Sequence, residues 1–376
     1  MSSMKPPPMK LAEVVDVVIG VDTHVASHAA AAVDARTGGV LDQIIVTADA
    51  EGYAELVDFA DRVAVEHAAL RAWAIEGTAS HGRGLAVHLD QAEELVVELD
   101  RPERARRRGG EKSDPLDAVR AAREAIARER VGTPRGAGPD PDQAATRQAL
   151  AVRVAVRRSA VQAAADARRQ LFSAILTAPE PVRTRFRGLT SEAIITRVLA
   201  TRRSARWVSV DVETAHTVAC LQIWARRIQD LTAEAAAHEK EITTLVRSWR
   251  PDLLDQVGIG PIVAATVLCA WAYPGRIHSE AAFAKLAGTS PVQANSGQVQ
   301  TRHRLNRYGD RRLNCALHTI VITRQRHHQP TRDYTERRTS QGKNPREIRR
   351  CLKRYIARDL YRTLEAGDTQ TPLDQT

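Results

Sequence analysis

Aromatic side chains are scarce in this chain. They make up 4% of its 376 residues, too few for a nucleic-acid module that works by stacking bases. The four cysteines, Cys220, Cys269, Cys315 and Cys351, lie far apart with no CxxC pair among them. That argues against a zinc site and a disulfide framework, and a reducing cytoplasm is expected. Long apolar runs are missing too. The best, Pro261 to Tyr273, falls short of the roughly 18 residues a membrane helix needs. The N-terminal MSSMKPPPMK has no apolar stretch ahead of a cleavage site, so a secretory signal is not expected. Lysine occurs only at positions 5, 10, 112, 240, 285, 343 and 353, which leaves arginine to carry nearly all the positive charge.

What is present is a charge divided along the chain. The whole chain has a formal net charge of +10. Residues 1–100 hold 6 Lys/Arg against 17 Asp/Glu, a net of −11, and the remaining residues hold 49 against 28, a net of +21. Opposite signs in two parts of one chain point to a nucleic-acid partner and to a division of labour. Arginine forks onto phosphate bidentately, which suits a polyanion. A GC-rich genome would also favour arginine codons, but it does not account for the asymmetry. At 43% hydrophobic residues the chain has enough apolar surface to fold.

Hydropathy patterning divides the chain into five parts. Residues 1–12 are Pro-rich and expected to be disordered. Residues 13–142 read as an α/β domain. Val14 to Asp22 is a buried strand ending in a carboxylate, residues 27–35 and Val40 to Val46 are two further strands joined by short links, and a helix follows from Asp49 to about His67. Arg71 to Gly77 and Glu94 to Asp100 are a fourth and a fifth strand with a short helix between them. Ser113 caps a helix running to about Arg130. Three hairpin-linked strands followed by alternating helix and strand is the order of a ribonuclease-H-like mixed sheet. No GxGxxG follows the first strand, which disfavours a dinucleotide site.

Thr133 to Asp142 reads as a linker, and residues 143–250 are helical. Leu221, Trp224, Ile228, Leu231, Ala235, His238, Ile242 and Leu245 repeat at alternating spacings of three and four, a coiled-coil seam with one polar position. Leu150 to Ile175 carries a weaker seam broken by Arg157 and Arg168. The two arms suit either a helical hairpin within one chain or pairing between chains. Residues 251–364 form a mainly helical region in which Gly258-Ile259-Gly260 resembles a helix-hairpin-helix turn between Leu253 and Trp271. Residues 365–376 read as a frayed tail.

Four acids occupy telling places. Asp22 ends the first strand and Glu76 the fourth, which lie side by side in a ribonuclease-H-like sheet. Asp114 and Asp117 stand three apart at a helix start, on one face. Four clustered carboxylates repel unless cations neutralise them, and hard divalent ions, Mg2+ first and Mn2+ next, are the natural partners. Two such ions could clamp the attacking and leaving oxygens of a phosphoryl transfer. Taken singly, each acid reads more readily as an ordinary turn or helix-start residue, and only their joint order on this fold raises the set. Glu93 and Glu94 are expected to be simply solvated.

Ser296, in Asn-Ser-Gly, precedes a run of cations: Arg302, His303, Arg304, Arg307, Arg311 and Arg312. A serine there could attack a phosphodiester. A Ser-Gly turn in a basic loop is the other reading. Further candidate nucleic-acid contacts are Arg101, Arg104, Arg106, Arg107, Arg108 and Lys112 in a basic loop, and Gly258 and Gly260, whose backbone N–H groups could face a phosphate. Lys353, Arg354 and Arg358 form the basic side of an amphipathic helix spanning Cys351 to Leu364.

Six stretches together resemble one family: GVDTH (Gly20 to His24), WAIEGTASHG (Trp73 to Gly82), VELDRPERARRRGGEKSDPLDA (Val97 to Ala118), LLDQVGIGPIVAA (Leu253 to Ala265), Ala281 to His318, and RRCLKRYIARDLYRTL (Arg349 to Leu364). The chain resembles the transposases of the insertion-sequence one-ten family, recombinases guided by a bridge RNA, and the resemblance runs through about the whole chain. It implies a RuvC-like domain, a coiled-coil insertion and a C-terminal serine transposase domain. It places the family's DEDD carboxylates on Asp22, Glu76, Asp114 and Asp117 and its nucleophilic serine on Ser296. It also implies a covalent phosphoserine intermediate, a composite site built from two protomers, a bridge RNA that selects donor and target DNA, and homodimers that assemble into a tetramer. Val25-Ala26 departs from the Lys-Asp that relatives often carry there, removing a charge pair near the acidic site. Two other readings of the residues stand beside this one. One is a RuvC-like nuclease or junction resolvase that uses activated water, and the other is an RNA- or DNA-binding protein without chemistry.

Overall fold

The computed structural model describes residues 10–67, 70–99, 113–136, 138–202, 204–208, 211–293, 303–305 and 309–367. The chain forms two compact units, residues 1–144 with 272–278, and residues 145–271 with 279–376.

The first unit is built on a five-stranded sheet of β1 (Val17–Thr23), β2 (Ser27–Asp34), β3 (Val40–Thr47), β4 (Arg71–Ile75) and β5 (Val96–Glu98), in the order β3-β2-β1-β4-β5. β1 to β3 are an antiparallel meander, while β4 pairs parallel to β1, and β5 parallel to β4. This is a mixed α/β sheet domain, compatible with the RuvC-like domain expected from the sequence. Strand alternation sends successive side chains to opposite faces, and both faces of β1 are covered. Val17, Ile19 and Val21 pack with Leu56, Phe59, Ala60 and Val63 of α1 (Ala50–His67) and with Leu85 and Leu89 of α2 (Arg83–Gln91). Val18 faces Ala118, Ala122 and Ala125 of α3 (Asp114–Ala127). The spacings 56/59/60/63 and 118/122/125 are those of one helix face.

Two local devices fix the helices. Asp49 accepts from the Gly52 N–H at 3.0 Å, capping α1. Gly20 lets α3 lie directly on the sheet, since a Cβ there would stand 2.1 Å from the Ala118 carbonyl oxygen and 2.5 Å from the Ala122 nitrogen. β1 begins at Val17 rather than Val14, because Leu11–Glu13 form a 3-10 turn that tucks Leu11 and Val15 into the α3-side core. Glu94 is a second correction. It is not solvated: its side chain is 11% exposed, it takes a two-pronged bond from Arg71, with Nε at 3.0 Å from Oε2, and it accepts from Trp73 Nε1 at 2.9 Å.

Residues 272–278 are the unexpected part of this unit. Arg276 Nη2 lies 3.3 Å from Glu98 Oε2, and both side chains are almost fully buried. Arg276 Nε donates to the Thr133 carbonyl at 3.2 Å and the Tyr273 hydroxyl to that of Pro134 at 3.0 Å. The segment read from sequence as a linker thus holds a strap whose bonds to it span 139 and 143 residues of chain.

The second unit is helical. Its long helices are α4 (Pro141–Leu176), which starts at the end of the first unit, and α7 (Val212–Trp249), with α5 (Glu180–Phe186) and α6 (Ser191–Ala200) between them. Ala167, Leu171 and Ile175 of α4 share a core with Val218, Leu221, Ala225 and Ile228 of α7, and Val182, Phe186, Ile194 and Val198 close its end. Arg157 bonds Glu239 at 2.7 Å and Arg153 meets Glu241 at 3.5 Å. Low numbers on one helix face high numbers on the other, so the two arms form an antiparallel hairpin within the chain.

The rest comprises α8 (Pro261–Trp271), α9 (Glu280–Leu286), a hairpin of β6 (Pro291–Gln293) and β7 (His303–Leu305), α10 (Arg311–His327), α11 (Gln329–Ser340) and α12 (Pro345–Ala366). α12 packs on α9, α10 and α11 through the buried Ile348, Leu352, Ile356, Leu360 and Leu364. Arg250 anchors its far end, donating to the Leu364 carbonyl at 3.1 Å, to that of Thr363 at 2.9 Å, and to Asp252. These arginine bonds satisfy carbonyls that a helix C-terminus leaves unpaired. No helix among the described residues is long and apolar enough to cross a membrane.

Candidate active site

The strand register brings the first two acids together. Val21 of β1 pairs with Ile75 of β4, so Asp22 and Glu76 are the next residues on adjacent parallel strands. The Thr23 hydroxyl donates to the Glu76 carbonyl at 3.2 Å and ties the two strand ends. Alternation along β1 puts Gly20, Asp22 and His24 on the face that α3 covers. The missing side chain at Gly20 lets α3 settle, and its first turn then carries Asp114 over Asp22. Asp117 is one turn further on the same helix, ion-paired to Arg120 at 2.6 Å.

His24 joins this group, a residue the sequence reading did not single out. Its Nε2 lies 3.2 Å from Asp22 Oδ2 and 3.5 Å from Asp114 Oδ1. One ligand atom from each of Asp22, His24 and Asp114 lies within 4.8 Å of the others. Strand alternation is the signal that could have found it, since His24 is two residues beyond Asp22. Val25 and Ala26 form the turn that follows, closed by the His24 N–H donating to the Ser27 carbonyl at 3.1 Å, and both are exposed.

The electrostatics are those of an acidic cluster in which Asp117 and Glu124 carry arginine partners on their own helix. The Glu76 carboxyl titrates above its usual value, because burial disfavours its ionised form and because Asp22, Glu124 and Asp117 repel it. Glu124, on α3 two turns beyond Asp117, also bonds Arg128. Sequence reasoning did not include it. Its spacing of seven from Asp117, which returns to the same helix face, was the available signal. The donor chemistry fits a divalent cation: carboxylate oxygens with one imidazole nitrogen in a small volume.

The other expected site residues belong to the second unit or fall outside the described residues. Ser296, Arg302 and Arg307 are not among the described residues, nor are Arg101, Arg104, Arg106, Arg107, Arg108 and Lys112. In sequence Ser296 lies between Gln293 and His303, and Arg304 belongs to β7. Arg311 and Arg312 are exposed at the start of α10, where Asp310 caps the helix by accepting from the Arg312 and Leu313 N–H groups. Gly258 adopts a left-handed conformation, φ 88°, in a turn held to α10 by Arg324, whose Nε donates to the Val257 carbonyl at 2.8 Å. The segment before it is only a 3-10 turn, Pro251–Leu253, so Gly258 and Gly260 do not join two α-helices. On α12 the basic side is half-buried. Lys353 donates to Asn314 Oδ1 at 2.8 Å, with burial holding its ammonium below the usual lysine range. Arg354 approaches Glu280, and Arg358 lies over the Tyr355 ring.

A mixed sheet that carries acids at the ends of adjacent parallel strands, with two more on the helix crossing them, is an arrangement suited to metal-assisted phosphoryl transfer and compatible with a DEDD domain. Two family models match this chain. A DEDD transposase model covers residues 19–178 and a model described as "Transposase IS116/IS110/IS902 family" covers residues 252–336. The chain belongs to the IS110 family of transposases and is a DNA transposase or recombinase. No curated protein matches it.

Proposed function

We propose that this transposase moves an insertion sequence under the guidance of a structured bridge RNA, cutting DNA with Ser296 while the acidic cluster holds divalent metal. The juxtaposition of Asp22 and Asp114 at the end of β1 carries this reading. It gathers acids from two separate parts of the sequence at one point, with the chemistry of a cation site. An ion of the magnesium class held by Asp22, Glu76, Asp114 and Asp117 would offset negative charge building on the phosphate oxygens.

In the proposed step Ser296 Oγ attacks a DNA phosphorus. An Oγ–P bond forms, the bond from phosphorus to one deoxyribose oxygen breaks, and the serine proton ends on that departing oxygen. Attack by a deoxyribose hydroxyl of the strand to be joined reverses the exchange and restores the serine, so no cofactor is consumed. Arg302, Arg304, Arg307, Arg311 and Arg312 hold the flanking phosphates. A homodimer that assembles into a tetramer brings donor and target DNA together, and base pairing with the RNA selects both.

The test is to incubate protein, RNA and both DNAs with Mg2+ and to resolve protein-bound DNA under denaturing conditions. A covalent adduct is expected, lost in Ser296→Ala and reduced by at least about a hundredfold in Asp22→Asn. An adduct that survives Ser296→Ala refutes the serine step. Free DNA ends without an adduct in the wild type favour a nuclease that uses activated water.

A further inference from the structure

We infer that His24 is a third ligand of the cation held by Asp22 and Asp114, so that this site binds through nitrogen as well as oxygen and favours Mn2+ over Mg2+. The inference rests on the metal-site part of the proposed function, and it adds a ligand and a selectivity.

Three observations carry it. His24 is placed by the backbone: it follows Asp22 by two residues on the α3-facing side of β1, and its N–H is tied to the Ser27 carbonyl at 3.1 Å. Its Nε2 is the atom that approaches both acids, at 3.2 and 3.5 Å, and one ligand atom from each of the three residues lies within 4.8 Å of the others. The His24 side chain is 48% exposed and that of Asp114 52%, so an ion can enter without local unfolding. The chemistry sets the preference. Mg2+ is a hard ion that takes oxygen ligands and keeps several waters, whereas imidazole nitrogen favours transition metals.

A different role would use the same contacts, with His24 serving only as a counter-ion that withdraws when metal binds. Pulsed electron paramagnetic resonance on the full-length protein loaded with Mn2+ separates the two. The expected result is a directly bonded nitrogen-14 coupling in the wild type, absent in His24→Gln. Calorimetric titration should show Mn2+ affinity falling at least about tenfold in His24→Gln, with a smaller change for Mg2+. Asp22→Asn reports whether the metal is at this site at all. Mn2+ binding that depends on Asp22 but shows no nitrogen coupling overturns the assignment of His24 and leaves the metal site standing. The absence of any Asp22-dependent binding overturns both.

Discussion

Glu76 shows what crowding acids at a strand end does to one of them. Its carboxyl titrates above its ordinary value, near 4.5, through burial and through repulsion from Asp22, Glu124 and Asp117. A raised folded-state value means that the folded protein holds this proton more tightly than the unfolded chain does. The associated stability is fully present below the unfolded value and is lost as pH rises through the folded one. Glu76→Gln should therefore raise the melting temperature of metal-free protein at neutral pH. The gain should shrink towards the ordinary glutamate value, and added Mg2+ should raise the wild-type melting temperature more than the variant's. Scanning calorimetry with and without a chelator measures all three. A variant that melts lower than the wild type in chelator at neutral pH would contradict this account. The places of Asp22 and Glu76 at neighbouring strand ends were legible in the sequence because each comes after an apolar run. Glu94 was misread because its partners Arg71 and Trp73 come from another strand, beyond the reach of local patterning.

At the scale of elements, the seating of α3 on β1 decides whether the acids meet. The contact is backbone against backbone at Gly20, where an added Cβ would meet the Ala118 carbonyl and the Ala122 nitrogen. Neither atom can turn aside as a flexible side chain would. Gly20→Ala should lift α3, cost about 1–3 kcal/mol, and draw Asp114 away from Asp22, weakening Mn2+ binding even at temperatures where the protein stays folded. Denaturant unfolding and metal titration on the same sample check the two halves, and unchanged metal affinity would show that α3 adapts. The order of the sheet strands was readable from alternation and short links. The helical arms were readable from their three-four spacing, although spacing alone left open whether the partner was in the same chain. Arg157 with Glu239 and Arg153 with Glu241 answer that for the fold of one chain.

At the scale of the whole molecule, the domain boundary drawn from sequence at residue 142 leaves out part of the first unit. Nothing local marks Tyr273 or Arg276 as belonging with β5, since the tie is a buried pair with Glu98 across a long separation in sequence. A fragment ending at residue 144 keeps Glu98 buried near Arg135, 3.9 Å away, and loses Arg276. Removing one partner of a buried pair typically costs about 3–5 kcal/mol. Such a fragment should melt well below the corresponding transition of the full chain, and Glu98→Gln within the fragment should recover part of the loss. Equal melting temperatures would show that the strap contributes little.

The same strap sets a timetable for synthesis. Protein is made from the N-terminus at roughly 5–20 residues per second, so Arg276 leaves the ribosome long after Glu98 does, a delay of roughly 9–36 s for the 178 residues between them. Through that interval buried Glu98 has Arg135 nearby but lacks Arg276, its buried partner. The nascent first unit therefore reaches its final stability only once the helical arms and α8 have been translated.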